Sequence, residues 1–501
     1  MGQNGYLLGL DIGSSSIKAA LLDTDTGALI ASATSPKTEM EIFVENPGWA
    51  EQHPDLWWNH IKTAIQELRS TAGVDFHAVR AIGIAYQMHG LVMVDKNHEP
   101  LMNSIIWCDS RAVGIGEEAF GALGREYCLK NYLNSPGNFT ASKLKWVQLN
   151  KPELYKKIYK IMLPGDYIAM KLTGEITTTP SGLSEGIMWD YSRNELAQSI
   201  LDYYGISKEL IPETVPTFST QGLLLAPVAQ ELGLTTGIPI TYRAGDQPNN
   251  AFSLNVLNPG EIASTAGTSG VVYGVTDSTQ YDPACRVNTF VHVNNTSAAS
   301  RYGILLCVNG TGICNRWLRS IAGNVSYAQM NEAAGKINPG SNGLIILPYG
   351  NGAERTLENR EIGASIHGLD FSTHSSAHLF RAAQEGIVFA LRYGLDVMRS
   401  MGVEIKVVRA GYANMFQSPV FAGAFSTICG ARLELYNTDG AQGAARGAGL
   451  GAKIYASAGD AFSGLTMLNS YEPDEHQSSI YEDTYARWVA TLHNEINRNN
   501  Q

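Results

Sequence analysis

The sequence predicts an α/β protein of two related domains with a central cleft. Three observations lead there. The chain has 501 residues, more than one compact core serves. It opens on a strand at 6–13, a hydroxyl-rich turn at Ser14-Ser15-Ser16 and a returning strand at 17–23. The same grammar restarts beyond residue 255: a strand at 261–267, the turn Gly267-Thr268-Ser269-Gly270, and a strand at 271–275. A supersecondary unit repeated at this distance argues for two copies of one architecture, each presenting its turn to the cleft between them. The expected division is 1–255 and 256–501.

The elements follow in order. The opening meander turns at Thr24-Asp25-Thr26-Gly27 and returns through 28–32. Residues 55–70 read as a helix, because Trp57, Ile61, Ala64, Ile65 and Leu68 share one face. Strands at 82–86 and 91–95 are joined by Gln87-Met88-His89-Gly90, and 139–188 alternates helical patterns with loops. An apolar strand at 238–242 runs into Gly245-Asp246. The second half adds a helix at 378–401, a strand at 403–410, a glycine-rich break, a small-residue helix near 443–457 and a last helix beyond 485. With no low-complexity segment or long linker, the domains are expected to share a hinge.

Composition excludes several classes. The formal charge is -11, from 36 basic and 47 acidic residues, with no basic cluster. Nucleic acid and anionic membrane are therefore not expected partners. Any site for an anionic nucleotide must be built locally from N–H groups, hydroxyls and a metal ion. Cys108, Cys128, Cys285, Cys307, Cys314 and Cys429 lack CxxC spacing and read as buried, reduced thiols. The chain enters its first strand without a basic leader, and no apolar run reaches membrane-spanning length, so a cytoplasmic location is expected.

Five constellations carry candidate chemistry. Asp11-Ile12-Gly13-Ser14-Ser15-Ser16 places a carboxylate at a strand end, glycine where a ligand can approach the backbone, and donors for phosphate oxygens. Asp11 either holds Mg²⁺ or caps its own turn. Ala266-Gly267-Thr268-Ser269-Gly270 is the matching turn, either a phosphate-holding bend or a plain hairpin. The chain has no GxxxxGK[ST] and is not a P-loop protein. Asp246, after an apolar strand, can take a proton from a hydroxyl attacking a γ-phosphate, or simply start a turn before Pro248. Gln87, Met88 and His89, with Trp107 and Asp109 nearby, suit a small polyol, which needs hydrogen bonds and one apolar face; the alternative for His89 is an ordinary structural hydrogen bond. Asn309-Gly310-Thr311-Gly312 and Gly411-Tyr412-Ala413-Asn414 supply small residues that admit a flat purine, or are common strand-to-helix turns. Two lures are set aside. Gly182-Leu183-Ser184-Glu185-Gly186 matches GxSxG but lacks the preceding buried strand. His374 and His378 flank Ser375-Ser376, a helix start rather than a metal site.

Taken in order, these motifs resemble the FGGY carbohydrate kinase family. The resemblance rests on the Asp-Ile-Gly-Ser-Ser-Ser turn, Trp49-Ala50-Glu51-Gln52, Gln87-Met88-His89-Gly90, Trp107-x-Asp109-x-Arg111, Lys143-Leu144-x-Trp146-Val147, Gly245-Asp246, Gly267-Thr268-Ser269-Gly270 and Leu347-Pro348-Tyr349 through Glu354-Arg355-Thr356. The stretch from Gly368-Leu369 to Glu385-Gly386 is similar to the family's second signature, and the likeness runs from about residue 6 to about 455. It implies two actin-like (ribonuclease H-like, hexokinase-type) domains. It implies ATP and Mg²⁺, with Asp246 as general base and Asp11 near the metal. Gly13, Ser14, Ser15, Gly267 and Thr268 would lie at the phosphates, and Gly312, Gly411 and Asn414 at the adenosine. Gln87, Met88, His89, Asp109, Asp246 and Gln247 would line the sugar. Gln-Met-His-Gly is the xylulose kinase version of its motif, whereas glycerol kinases carry Arg-Glu there. The chain departs from the xylulose kinase pattern at Gln247-Pro248, at Tyr412 and at Leu357.

The expected activity is transfer of the ATP γ-phosphate to a ketopentose, D-xylulose at O5 first among them. The alternatives are a family kinase for another ketose, a pentitol or gluconate; a nucleotide-dependent binding protein on an actin-like scaffold; and a catalytically silent sugar sensor. The partners expected are the sugar and ATP, with a homodimer kept as an expectation for assembly.

Overall fold

The computed structural model describes residues 5–498. The chain forms two compact units. Unit 1 holds residues up to Asn255 together with Phe290–Tyr302 and Thr438–Leu465; unit 2 holds Val256–Thr289, Gly303–Asn437 and the remainder from Thr466. The chain thus does not divide at a single break after residue 255.

Unit 1 is built on strands β1 (Tyr6–Ile12), β2 (Ile17–Asp23), β3 (Leu29–Ser35), β4 (Val79–Tyr86) and β5 (Ile240–Gly245), in the order β5-β4-β1-β2-β3. β1 pairs antiparallel with β2, and β2 with β3. β4 runs parallel to both β1 and β5. Side chains alternate across the sheet. Leu8, Leu10, Ile82 and Ile84 share a core with Trp57, Ile61, Ile65 and Leu68 of helix Pro54–Thr71, the face expected from its periodicity. On the other side of the alternation Gly9 and Gly83 leave room for helix Gly440–Gly451 to approach at backbone distance. A Cβ on Gly9 would lie 1.9 Å from the Ala441 carbonyl oxygen, and one on Gly83 2.0 Å from that of Ala444. The small-residue composition of that helix is the complement of these two glycines, and it brings segment 438–465 back into unit 1.

The second sheet, whose residues fall in unit 2 except Phe290, Val291 and Tyr302, carries strands β6 (Glu261–Ala266), β7 (Gly270–Thr276), β8 (Asn288–Val291), β9 (Tyr302–Val308), β10 (Val407–Gly411), β11 (Arg432–Tyr436) and β12 (Met467–Tyr471), in the order β8-β9-β7-β6-β10-β11-β12. β6 and β7 are antiparallel, and β6, β10 and β11 run parallel. The run β11-β10-β6-β7 repeats β5-β4-β1-β2 in order and direction, so the echo between the two turns in the sequence is an echo of topology. Helix Ser376–Ser400 buries Ile387, Val388, Leu391, Leu395 and Met398 in the core of this unit.

Both lures resolve structurally. Ser184 lies in helix Pro180–Glu185 with its hydroxyl donating to the Ser181 carbonyl and accepting from the Val291 amide. His378 accepts from the Ser375 amide and so closes the N-terminus of helix Ser376–Ser400. None of the six cysteines is in a disulfide; Cys128 and Cys429 are buried, whereas Cys108 is exposed, against the expectation that all are buried. Among the described residues no helix is long and apolar enough to cross a membrane.

Candidate active site

Three parallel strands of unit 1 end at one edge of the sheet. Ile12 and Gly245 both stand opposite Tyr86, and Asp11 and Ala244 opposite Ala85. The carboxyl ends of parallel strands are where α/β sheets place ligands. Asp11 stands one residue before the end of β1, and Gln87 follows β4 with its amide donating to the Ile12 carbonyl. Asp246 follows β5 as the first residue of helix Asp246–Ser253. Burial pushes the Asp246 carboxyl up to about 7; nearby Asp11 adds to the rise, and hydrogen bonds from Gln247 oppose it. Burial likewise pushes Asp11 up to about 6, with Lys18 opposing and Asp439 adding. Gly440, which follows Asp439, is needed at this place: a Cβ there would sit 2.4 Å from Asp11 Oδ2. Two carboxylates whose proximity raises the Asp246 pKa suit a divalent cation, which would relieve that repulsion. Among the described residues no group of three or more His, Cys, Asp and Glu converges. One carboxylate, with phosphate oxygens and water completing the shell, is how Mg²⁺ is commonly held.

Next to Asp246, Met88 is buried against Gly245, where a Cβ would meet Met88 Cγ at 2.6 Å. The His89 ring packs against Phe139 and Phe290, centroids 4.8 and 5.4 Å away. The Gln87 side chain donates to Gln52 Oε1 at 3.3 Å. Its own Oε1, and that of Gln247, are buried acceptors with no hydrogen-bond partner among the described residues. Unpaired buried acceptors are costly, and hydroxyl donors of a polyol would satisfy them.

Asp109 takes a different place. Its carboxylate is fully buried and accepts from the Ala50 amide, the Arg111 amide and the Arg111 guanidinium. Arg111 also reaches Glu51 at 2.8 Å and lies over the rings of Trp49 (3.9 Å) and Trp146 (4.8 Å). Glu51, Asp109 and Arg111 thus form a buried ionic cluster, flanked by the half-buried rings of Trp49 and Trp146, while Trp107 stays exposed. The cluster fixes the segment from which Trp107 Nε1 donates to Ser14 Oγ at 3.1 Å. In the first turn the Gly13 amide donates to the Ser16 carbonyl, Ser14 is partly buried and Ser15 is exposed.

Unit 2 contains a cavity of about 290 Å³ lined by Gly267, Thr268, Gly312, Asn331, Asn414 and Ser418, among others. It brings together the second turn and both glycine-containing segments expected at the nucleotide. The Gly312 and Ile313 amides donate to the Gly267 and Thr268 carbonyls, at 2.9 and 3.2 Å, which joins the turn to helix Gly312–Ile321. Gly312 is required for that join, since a Cβ would lie 2.2 Å from the Gly267 carbonyl oxygen. Asn414 adopts a left-handed conformation (φ +53°) that aims the chain back after β10. Gly411 ends β10 and is not among the residues lining the cavity.

Comparison with known proteins decides the family. The N-terminal domain of the FGGY family of carbohydrate kinases matches residues 6–253 and its C-terminal domain matches residues 262–454. The chain belongs to the FGGY family. It is 27% identical over 496 residues to the xylulose kinase of Escherichia coli, covering 97% of this chain and 99% of that one. The crystal structure of a xylulose kinase from Brucella ovis superimposes with a TM-score of 0.88 at 27% identity, over 97% and 99% of the two chains. That of Plasmodium falciparum glycerol kinase with ADP gives 0.87 at 21% identity, over 98% and 99%, which shows the shared fold. This FGGY kinase is therefore a sugar phosphotransferase on two actin-like α/β domains, with ATP as the phosphate donor.

Several residues of the candidate site carry no mark in the sequence. Asp439 and Gly440 come from far along the chain and meet Asp11 only because helix Gly440–Gly451 returns to unit 1. Glu185 sits inside the rejected GxSxG match, yet its carboxylate accepts from the Tyr86 hydroxyl at 2.6 Å and from the His89 amide at 3.2 Å. Arg243 and Asp166 form a buried ion pair at 2.8 Å beneath the same strand end. Nothing local distinguishes Asp439 or Gly440; for Asp166, Glu185 and Arg243 the one available signal is a charged residue among apolar neighbours.

Proposed function

We propose that this enzyme phosphorylates D-xylulose at O5, with Asp246 as general base. The observation that carries the reading is a largely buried carboxylate, raised to about 7, at a strand edge shared with Asp11 and the unpaired amide oxygens of Gln87 and Gln247. A base is most effective when its pKa lies near the operating pH, and a carboxyl at about 7 suits catalysis near neutrality. Its neighbours are hydrogen-bond acceptors suited to a polyol, and Met88 supplies an apolar wall. The relatives named xylulose kinase support the choice of ketose.

In the proposed step the O5 hydroxyl gives its proton to Asp246 as its oxygen bonds to the γ-phosphorus, and the bond from that phosphorus to the bridging oxygen breaks to leave ADP. Asp246 orients the hydroxyl before it removes the proton, and Gln87 and Gln247 accept from other hydroxyls of the sugar. Asp11 would hold Mg²⁺, which supplies charge neutralisation on the phosphates when bound. Thr268 and the Gly312 segment would line the nucleotide. Asp109, committed to Arg111 and Ala50, would shape the site rather than touch the sugar.

The test is ADP release across D-xylulose, L-xylulose, D-ribulose, xylitol, glycerol and gluconate, each with and without Mg²⁺. D-xylulose should give the highest kcat/KM, and only with the metal. A higher kcat/KM for any other compound would overturn the substrate assignment, and equal ADP release without sugar would overturn the kinase reading.

A further inference from the structure

His89 has φ +60°, a left-handed conformation uncommon for a residue with a side chain. Two buried side chains hold it there. Its amide donates to Glu185 Oε2 at 3.2 Å, and its carbonyl accepts from Lys143 Nζ at 3.0 Å. Its ring Nδ1 lies 2.8 Å from the Glu185 carbonyl oxygen. A carbonyl oxygen only accepts, so Nδ1 carries the proton, and in the neutral ring Nε2 is the acceptor. Phe139 and Phe290 pack against the ring.

Lys143 and Glu185 are fully buried ionisable residues on two different helices, Thr140–Asn150 and Pro180–Glu185. Burial lowers the Lys143 ammonium to about 8 and pushes the Glu185 carboxyl well above its usual range, with Asp246 and Asp166 adding to the latter rise. Burying such groups is costly unless they are well bonded. Among the described residues Lys143 donates to two backbone carbonyls, those of His89 and Ile106, rather than to a carboxylate. Glu185 bonds the Tyr86 hydroxyl and the backbone of His89. Both thus converge on the main chain of one residue in the acceptor site.

We propose that Lys143 and Glu185 are positioning residues that set acceptor selection by fixing the backbone and the ring tautomer of His89, so that its Nε2 takes a hydrogen bond from a hydroxyl of the sugar. This rests on the reading of the unit 1 strand edge as the sugar site. If the pair acts through His89, its effect disappears when His89 is gone; if it only supports the fold, the effect persists.

The experiment is a double-mutant cycle in the full-length enzyme, with KM for D-xylulose, KM for ATP and kcat measured for Lys143→Met, His89→Ala and the double variant. Lys143→Met should raise KM for D-xylulose by about 10- to 100-fold, the scale of a 1 Å misplacement, and leave KM for ATP unchanged. In the His89→Ala background it should raise it no further. Glu185→Leu should behave as Lys143→Met does. Glu185→Gln should restore most of the affinity, because its oxygen can accept from the His89 amide while its NH₂ donates to the Tyr86 oxygen. Where Lys143→Met does not fold, Lys143→Gln, which keeps one amide donor group, takes its place in the cycle. Multiplying effects in the double variant, or a parallel rise in both KM values, would overturn the proposal. Absence of D-xylulose turnover by the wild type would overturn the substrate reading alone. The cycle would then use the panel compound that the wild type does phosphorylate.

Discussion

Asp246→Asn separates the proposed base from the scaffold that holds it. Asparagine keeps the size of the side chain and an oxygen that can accept the Gln247 amide, but it takes no proton at neutral pH. Loss of a positioned base costs about 10²- to 10⁴-fold in rate. A thousandfold loss corresponds to about 4 kcal/mol of transition-state stabilisation. Sugar binding should survive, because the contacts proposed for Gln87, His89 and Gln247 are untouched. A second consequence follows from linkage. The folded carboxyl is pushed from 3.8 to about 7, so between those values the folded state keeps a proton that the unfolded chain releases. Stability then falls as pH rises through that window, and the ionised aspartate costs most above it. Removing the carboxylate should make the variant melt higher than the wild type at pH 8 in EDTA, with no difference at pH 4. Coupled-enzyme kinetics, calorimetric sugar binding and thermal melts at the two pH values read all three effects. Turnover within tenfold of the wild type, or a variant that melts lower at pH 8, would refute the assignment of Asp246 as a largely buried base with a raised pKa.

Further expectations follow from the same geometry. The profile of kcat/KM against pH should fall by about tenfold per unit on its acid side, since the proposed base must be unprotonated; Mg²⁺ beside Asp11 would bring that limb below the metal-free value of about 7, and the residual activity of Asp246→Asn should lack it. Gly312→Ala puts a Cβ 2.2 Å from the Gly267 carbonyl oxygen. It should raise KM for ATP by about tenfold or more through displacement of the turn, and leave the calorimetric affinity for sugar unchanged. Gly83→Val drives side-chain atoms into the Ala444 carbonyl, whose oxygen would lie 2.0 Å from the new Cβ, and should cost about 3 kcal/mol in urea unfolding. Gly114→Ala, in open space on helix Val113–Leu123, should instead stabilise by about 1 kcal/mol.

Local patterns make much of this protein legible. The strand, turn and strand at Asp11 and at Gly267 are readable because short, nearly continuous apolar runs interrupted by small hydroxyl residues leave clear marks. Helix Pro54–Thr71 is readable from one apolar face. Asp246 is marked by its place at the end of an apolar strand. Long-range features are not legible. The partnership of Gly9 and Gly83 with helix Gly440–Gly451 depends on two surfaces far apart in sequence, and a glycine gives no hint of which backbone it must admit. Glu185 falls with a chance motif because nothing local says that its carboxylate meets Tyr86 and His89. Asp109 reads as a sugar ligand because a carboxylate beside a tryptophan suits a polyol, whereas Arg111 and the Ala50 amide occupy its acceptor positions.

The most direct test of the whole account is to mix enzyme, D-xylulose, ATP and Mg²⁺ and identify the product by phosphorus and carbon NMR. Phosphorus coupled to C5 of the ketose, formed in step with ADP and absent with Asp246→Asn, is the predicted result. Inorganic phosphate alone, or phosphate on another carbon, would contradict it.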